Sequence, residues 1–168
     1  MKGINKGRIF IAFSHKKNGK NYFRWMGLAI IFMFLSVDEI TSIHESFGQA
    51  IRAGYSVSGF LYFAWVIPYG LALTVFLVAY YKFLLGLPKN IMLLFILSGG
   101  VFISGAMGVE SFGGRHYEIY GNANITYAIF YTIEEFLEML GIVLFIYTLL
   151  TYIVKEFYPL TITTSDFK

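Results

Sequence analysis

The chain has 168 residues, of which 57% are hydrophobic, 20% aromatic and only 14% charged, with a mean hydropathy of +0.65. An average soluble domain carries about 25% charged residues, so this composition excludes one and suits a single domain of about four membrane spans. There is no cysteine, and the net charge of +3 comes from basic residues spread as topology signals, not gathered on a basic module. Disulfides, thiolate chemistry and nucleic-acid binding are therefore excluded as well.

Residues 1–21 are polar and basic, with Lys2, Lys6, Arg8, Lys16, Lys17 and Lys20, and read as a cytoplasmic arm. The apolar patch Ile9 to Phe13 is too short for a signal-peptide core. The first span starts near Tyr22 and Trp25, which suggest an aromatic belt. It meets Asp38, Glu39, His44 and Glu45 without a Gly or Pro break, so one helix is expected to continue to about Phe47.

The second span, about 60–85, carries no charge until Lys82, and Pro68 is a candidate kink. Gly86-Leu87-Pro88-Lys89 predicts a tight turn. The third span, about 90–109, is rich in small residues, among them Gly99, Gly100 and Gly105, which suit close helix contact. Residues 111–124 read as a polar loop holding Gly113-Gly114-Arg115-His116 and Glu118. Asn124-Ile125-Thr126 matches a glycosylation sequon, a pattern too short to carry weight. The fourth span, about 125–155, is long and bears Glu134, Glu135 and Glu138. Pro159 ends it, and 159–168 form a polar tail, so the spans fill 22–158.

Orientation follows from Lys and Arg. Eleven lie at the termini and the turn between spans two and three, whereas the other two loops hold only Arg52 and Arg115. Both termini are expected in the cytoplasm.

Seven of the ten acidic residues fall inside or at the edge of these apolar segments: Asp38, Glu39, Glu45, Glu110, Glu134, Glu135 and Glu138. A carboxylate at a membrane helix centre costs at least ~2.5 kcal/mol, so such groups face a protein interior or a wet cavity. At a rise of ~1.5 Å per residue from the nearest inner basic residue, the acids of three helices all reach roughly 21–32 Å. That common height, near the outer edge of a hydrocarbon core of about 30 Å, predicts one shared site. On the helical wheel Asp38 and Glu45 nearly coincide, and Glu138 lies between Glu134 and Glu135.

Acids so close cannot all stay ionised without a metal, a shared proton or basic partners. Only Arg52, Arg115, His44 and His116 lie at this level to help. The expected metal ligands are Asp38, His44, Glu45, Glu110, Glu134, Glu135 and Glu138, in the style of carboxylate helix bundles. Their Glu-x-x-His spacing is nevertheless missing here. Oxygen-rich donors with few imidazoles favour a hard ion, iron or manganese first. The competing explanation is acids hydrogen-bonded to Tyr, Ser, Thr and Arg at an interface. His116, in a Gly-rich loop, and His15, in the arm, are not counted as ligands, and no residue is assigned as catalytic.

Three strings stand out as a set. They are Asp38-Glu39-x4-His44-Glu45 preceded by Phe34-Leu35-Ser36-Val37, Gly108-Val109-Glu110, and Glu134-Glu135-x2-Glu138-Met139-Leu140-Gly141. Together they resemble a group of small uncharacterised bacterial four-span membrane proteins. The resemblance covers all four spans and implies an inner-membrane setting, but no activity.

The expected fold is thus all-α, an integral membrane four-helix bundle. The leading function is a carboxylate/His site near the outer leaflet that binds a metal and could support redox chemistry. One alternative is a non-catalytic accessory subunit of a larger membrane complex, whose partners would be other membrane subunits besides the lipid bilayer. The other is a proton- or cation-coupled carrier, against which the apolar inner halves of the spans weigh.

Overall fold

The computed structural model describes residues 19–157, all of whose regular structure is helical. The C-terminal tail lies outside those residues, and so does the basic arm except at its end, where the first helix has already begun. In chain order the helices are α1 (Gly19–Thr41), α2 (Ile43–Gly54), α3 (Val66–Leu85), α4 (Lys89–Ile103), α5 (Glu110–Tyr120) and α6 (Ile125–Phe157). A 3-10 turn (Gly59–Leu61) precedes α3, and a π-helical segment (Ser104–Val109) joins α4 to α5.

Three helices are long and apolar enough to cross a membrane: Val66–Leu85, Lys89–Tyr120 and Ile125–Glu156. A fourth span results if the bent pair α1 and α2 is counted as one. Their apolar side chains point outward as well as inward: Met33, Val78 and Val143 are each more than 60% exposed. A water-soluble helix would put charge on that face.

The expectation of one unbroken helix from 22 to 47 is not met. The chain turns by 71° between α1 and α2. Ser42 stands at the break in the left-handed region, at φ 50° and ψ 41°. The cause lies upstream: Asp38 Oδ1 accepts the His44 backbone N–H at 2.9 Å. That N–H is one of the free donors of a new helix start, and a carboxylate satisfies it as a capping residue would. No Gly or Pro is needed, which is why the sequence showed no break.

Pro68 does not kink α3. It is the third residue of that helix, where a missing N–H is harmless. The carbonyl it would have used, that of Ala64, accepts the Ile67 N–H instead. The turn at Gly86 to Lys89 is as expected, with α3 ending at Leu85 and Pro88 leading into α4.

Residues 111–120, expected in a loop, continue the third helix. Gly113 and Gly114 are buried packing positions here, not turn residues. A Cβ on Gly114 would lie 2.9 Å from the Phe63 ring, and one on Gly113 would touch Phe130. The turn comes later, at Gly121, whose φ is +71°.

The helices pack around two features. Near the α3–α4 turn, Leu28, Phe83, Leu87, Ile91 and Phe95 form a buried cluster. Trp25 joins it, with its ring 5.0 Å from those of Phe83 and Tyr152. Further along, α4 and α6 approach at Gly141, where a Cβ would sit 2.8 Å from the Phe102 N and Cα. Gly105 does the same from the π segment, facing the Glu134 carbonyl. Gly99 and Gly100, by contrast, have nothing within 4 Å of a Cβ and make no such contact.

Candidate functional site

The helix break brings Asp38 into the interior, where it is 4% exposed. Besides the His44 N–H, its carboxylate receives the Tyr69 hydroxyl at 2.9 Å on Oδ2, and His44 Nδ1 lies 3.2 Å from the same oxygen. Tyr69 comes from the first turn of α3. One helical turn earlier stands Trp65, whose ring meets His44 and Tyr69 edge-on at 5.0 Å each. Its Nε1 donates to Glu110 Oε1 at 2.9 Å. A polar line therefore runs from α1 through α2 and α3 to α5. Gly48 of α2 makes room for it: a Cβ there would lie 3.2 Å from the Trp65 backbone nitrogen.

Glu110 opens onto the second half of the site. Glu138, Glu45 and Glu39 lie within its electrostatic reach, and Glu134 feels Glu110, Glu138, Glu135 and Glu39. Glu134 and Glu138 are one turn apart on α6 and half-buried. The π segment sets this contact, because Gly105 lets the helices close until its Cβ position is 3.3 Å from Glu138 Cγ. A π turn inserts an extra residue into a helix and is frequent at functional positions.

The seven sequence-predicted ligands therefore divide. Asp38 and His44 bind each other and are occupied by Tyr69 and the α2 backbone. Glu110, Glu134 and Glu138 form the acidic half. Glu45 faces outward on α2, and Glu135 lies beside the exposed Tyr131. Among the described residues, no three His, Asp or Glu side chains are set as ligands around one point.

The two arginines expected to offset this charge do something else. Arg52 lies over the Tyr62 ring at 4.4 Å and Arg115 over the Phe60 ring at 4.9 Å. Among the described residues no Lys or Arg pairs with an acid, and the one contact at ion-pair distance is that of His44 Nδ1 with Asp38, charged only when the imidazole is protonated. Glu110, Glu134 and Glu138 thus have no cationic side chain beside them.

The surrounding end of the molecule is tied by polar side chains. Glu118, expected in a loop, accepts the Gly59 N–H at 2.6 Å and holds the 3-10 turn. Asn124 caps α6 by accepting the Tyr127 N–H at 2.9 Å, and His116 Nε2 lies 2.9 Å from the same oxygen. The sequon asparagine is thus engaged in structure.

Sequence reasoning missed Trp65 and Tyr69, which lie in a span without charge until Lys82. Their spacing of four put a ring N–H and a phenol O–H on one helix face, and buried Trp and Tyr polar atoms find partners. No curated protein and no solved structure matches the chain. One family does match, over residues 8–153: the chain belongs to the family described as Domain of unknown function (DUF8692).

Proposed function

We propose that this protein is an integral membrane bundle of four spans, the bent pair α1–α2 forming the first, whose acidic end binds a cation. The observation that carries the reading is that Glu110, Glu134 and Glu138, from two helices, feel one another's charge, with no Lys or Arg paired to them among the described residues. Half-buried carboxylates in that arrangement call for a positive charge from outside the chain or for a bound proton. All-oxygen donors suit a hard ion, with iron or manganese as the forms that would add redox chemistry. Asp38 and His44 support the site from behind, because Asp38 already holds three donors.

A test is thermal unfolding of the detergent-solubilised protein before and after chelation. Chelation should lower the Tm of the wild type and leave Glu138→Gln unchanged, and Mn²⁺ should restore the wild type. An equal, unaltered Tm in both would overturn the cation reading.

The accessory-subunit reading draws on a different observation. The line Asp38–Tyr69 and Trp65–Glu110 joins three helices by satisfied hydrogen bonds, which is what a purely structural role for these acids requires. The carrier reading is weaker, since the aromatic cluster of Trp25, Phe83 and Phe95 fills the opposite end of the bundle.

A further inference from the structure

At the end of the molecule away from the acids, a pocket of about 410 Å³ opens beside the α3–α4 turn. Arg24 and Lys82 line it, with Glu156 at the rim and Tyr152 on its wall. Neither cation has an ion-pair partner among the described residues. The Arg24 carbonyl accepts the Tyr80 hydroxyl at 3.1 Å, which fixes the backbone at the pocket while leaving the guanidinium free of that bond. Two cations against one carboxylate leave a net single positive charge.

A second, wholly apolar groove of about 220 Å³ lies between α1 and α6, lined by Trp25, Ala29, Phe32, Phe145 and Leu149. The two share no lining residue but lie side by side. Trp25 follows Arg24 in the chain, and its ring contacts that of Tyr152 at 5.0 Å. From Trp25 to Phe32 the groove runs roughly 10 Å along the helix.

A cationic mouth on an apolar slot of that direction has the chemistry of one class of molecule. We propose that this is a binding site for an anionic phospholipid, with the phosphodiester between Arg24 and Lys82 and one acyl chain in the groove between α1 and α6. A headgroup of charge −1 cancels the net charge of the mouth, and Lys or Arg at an anionic lipid surface contributes about 1 kcal/mol each, or roughly fivefold in affinity. The inference rests on the membrane reading above, and is independent of whether the acidic end holds a cation.

The test is native mass spectrometry of the full chain in detergent, titrated with phosphatidylglycerol or phosphatidylcholine, with circular dichroism confirming helicity. Phosphatidylglycerol should bind at least tenfold tighter than phosphatidylcholine. Arg24→Gln with Lys82→Gln should lose roughly thirtyfold in affinity, on that footing for two cations. Ala29→Phe should weaken binding by filling the slot while leaving every charge in place, and it decides the matter if the charge variant fails to fold. Glu156→Gln should tighten it. Equal binding of phosphatidylglycerol by wild type and Ala29→Phe would overturn the proposal. So would its displacement by glycerol 3-phosphate at the same concentration, which would make this a free-phosphate site. Recovery of the protein from cells without detergent would defeat the membrane reading itself, a separate failure.

Discussion

The indole N–H of Trp65 donates to Glu110 at 2.9 Å, and this bond links the two halves of the candidate site. On one side Trp65 packs against His44 and Tyr69, the partners of Asp38. On the other, Glu110 faces Glu134 and Glu138. Removing the donor leaves a half-buried carboxylate without its hydrogen bond, and bonds to charged groups contribute about 1.5–3 kcal/mol. Trp65→Phe should therefore lower the stability of the purified protein by about that amount in a thermal or denaturant series. Glu110→Gln keeps an acceptor and relieves the charge, so it should be tolerated better. An equal loss in both variants would mean that the bond is incidental.

Asp38 holds the helix break as well as the site. Asp38→Ala strands the Tyr69 hydroxyl and the His44 N–H together, at about 1–3 kcal/mol for each buried unsatisfied group. Tyr69→Phe removes only one donor and should cost less. The break itself is read at Ser42, a non-glycine residue at positive φ. Ser42→Gly should gain about 1 kcal/mol, because a left-handed L-residue costs roughly 1–2. If Ser42→Gly destabilises the protein, the 71° turn is not held as described.

Close helix approach gives a sharper contrast. Gly141→Ala drives a methyl into the Phe102 backbone and should cost at least the 1–3 kcal/mol usual for overpacking. Gly100→Ala, with open space at its Cβ, should leave the Tm unchanged or raise it slightly. Similar effects at both positions would contradict the packing of α4 on α6.

How much of this was legible in the sequence varies with the physical cause. The end of α3 at Leu85 and the start of α6 at Ile125 were readable, because Gly86-Leu87-Pro88 and a polar stretch bound long apolar runs. The break after α1 was not, since it is made by a side chain six residues away. Gly113-Gly114 suggested a loop, yet these glycines serve contact with Phe63 and Phe130, which lie elsewhere in the chain. The rise of a helix predicts a common height for the acids. Which of them already had partners was not legible, because Trp65 and Tyr69 come from a span without charge.

The proposed orientation rests on the basic residues at the termini and the α3–α4 turn. Ser56 and Asn122 are both exposed, and in the orientation we propose from the positive-inside rule they lie outside. Cysteines introduced singly at these positions should react with an impermeant reagent on intact cells. Labelling confined to opened membranes would reverse the topology and turn the lipid pocket outward.

Elemental analysis of the purified wild type beside Glu138→Gln bears most directly on the central claim, a cation held by Glu110, Glu134 and Glu138. About one to two ions per chain are expected in the wild type, as in carboxylate bundles, with most of that content lost in Glu138→Gln. A wild type free of metal after gentle purification, matched by a Glu138→Gln protein of unchanged stability, would contradict the account.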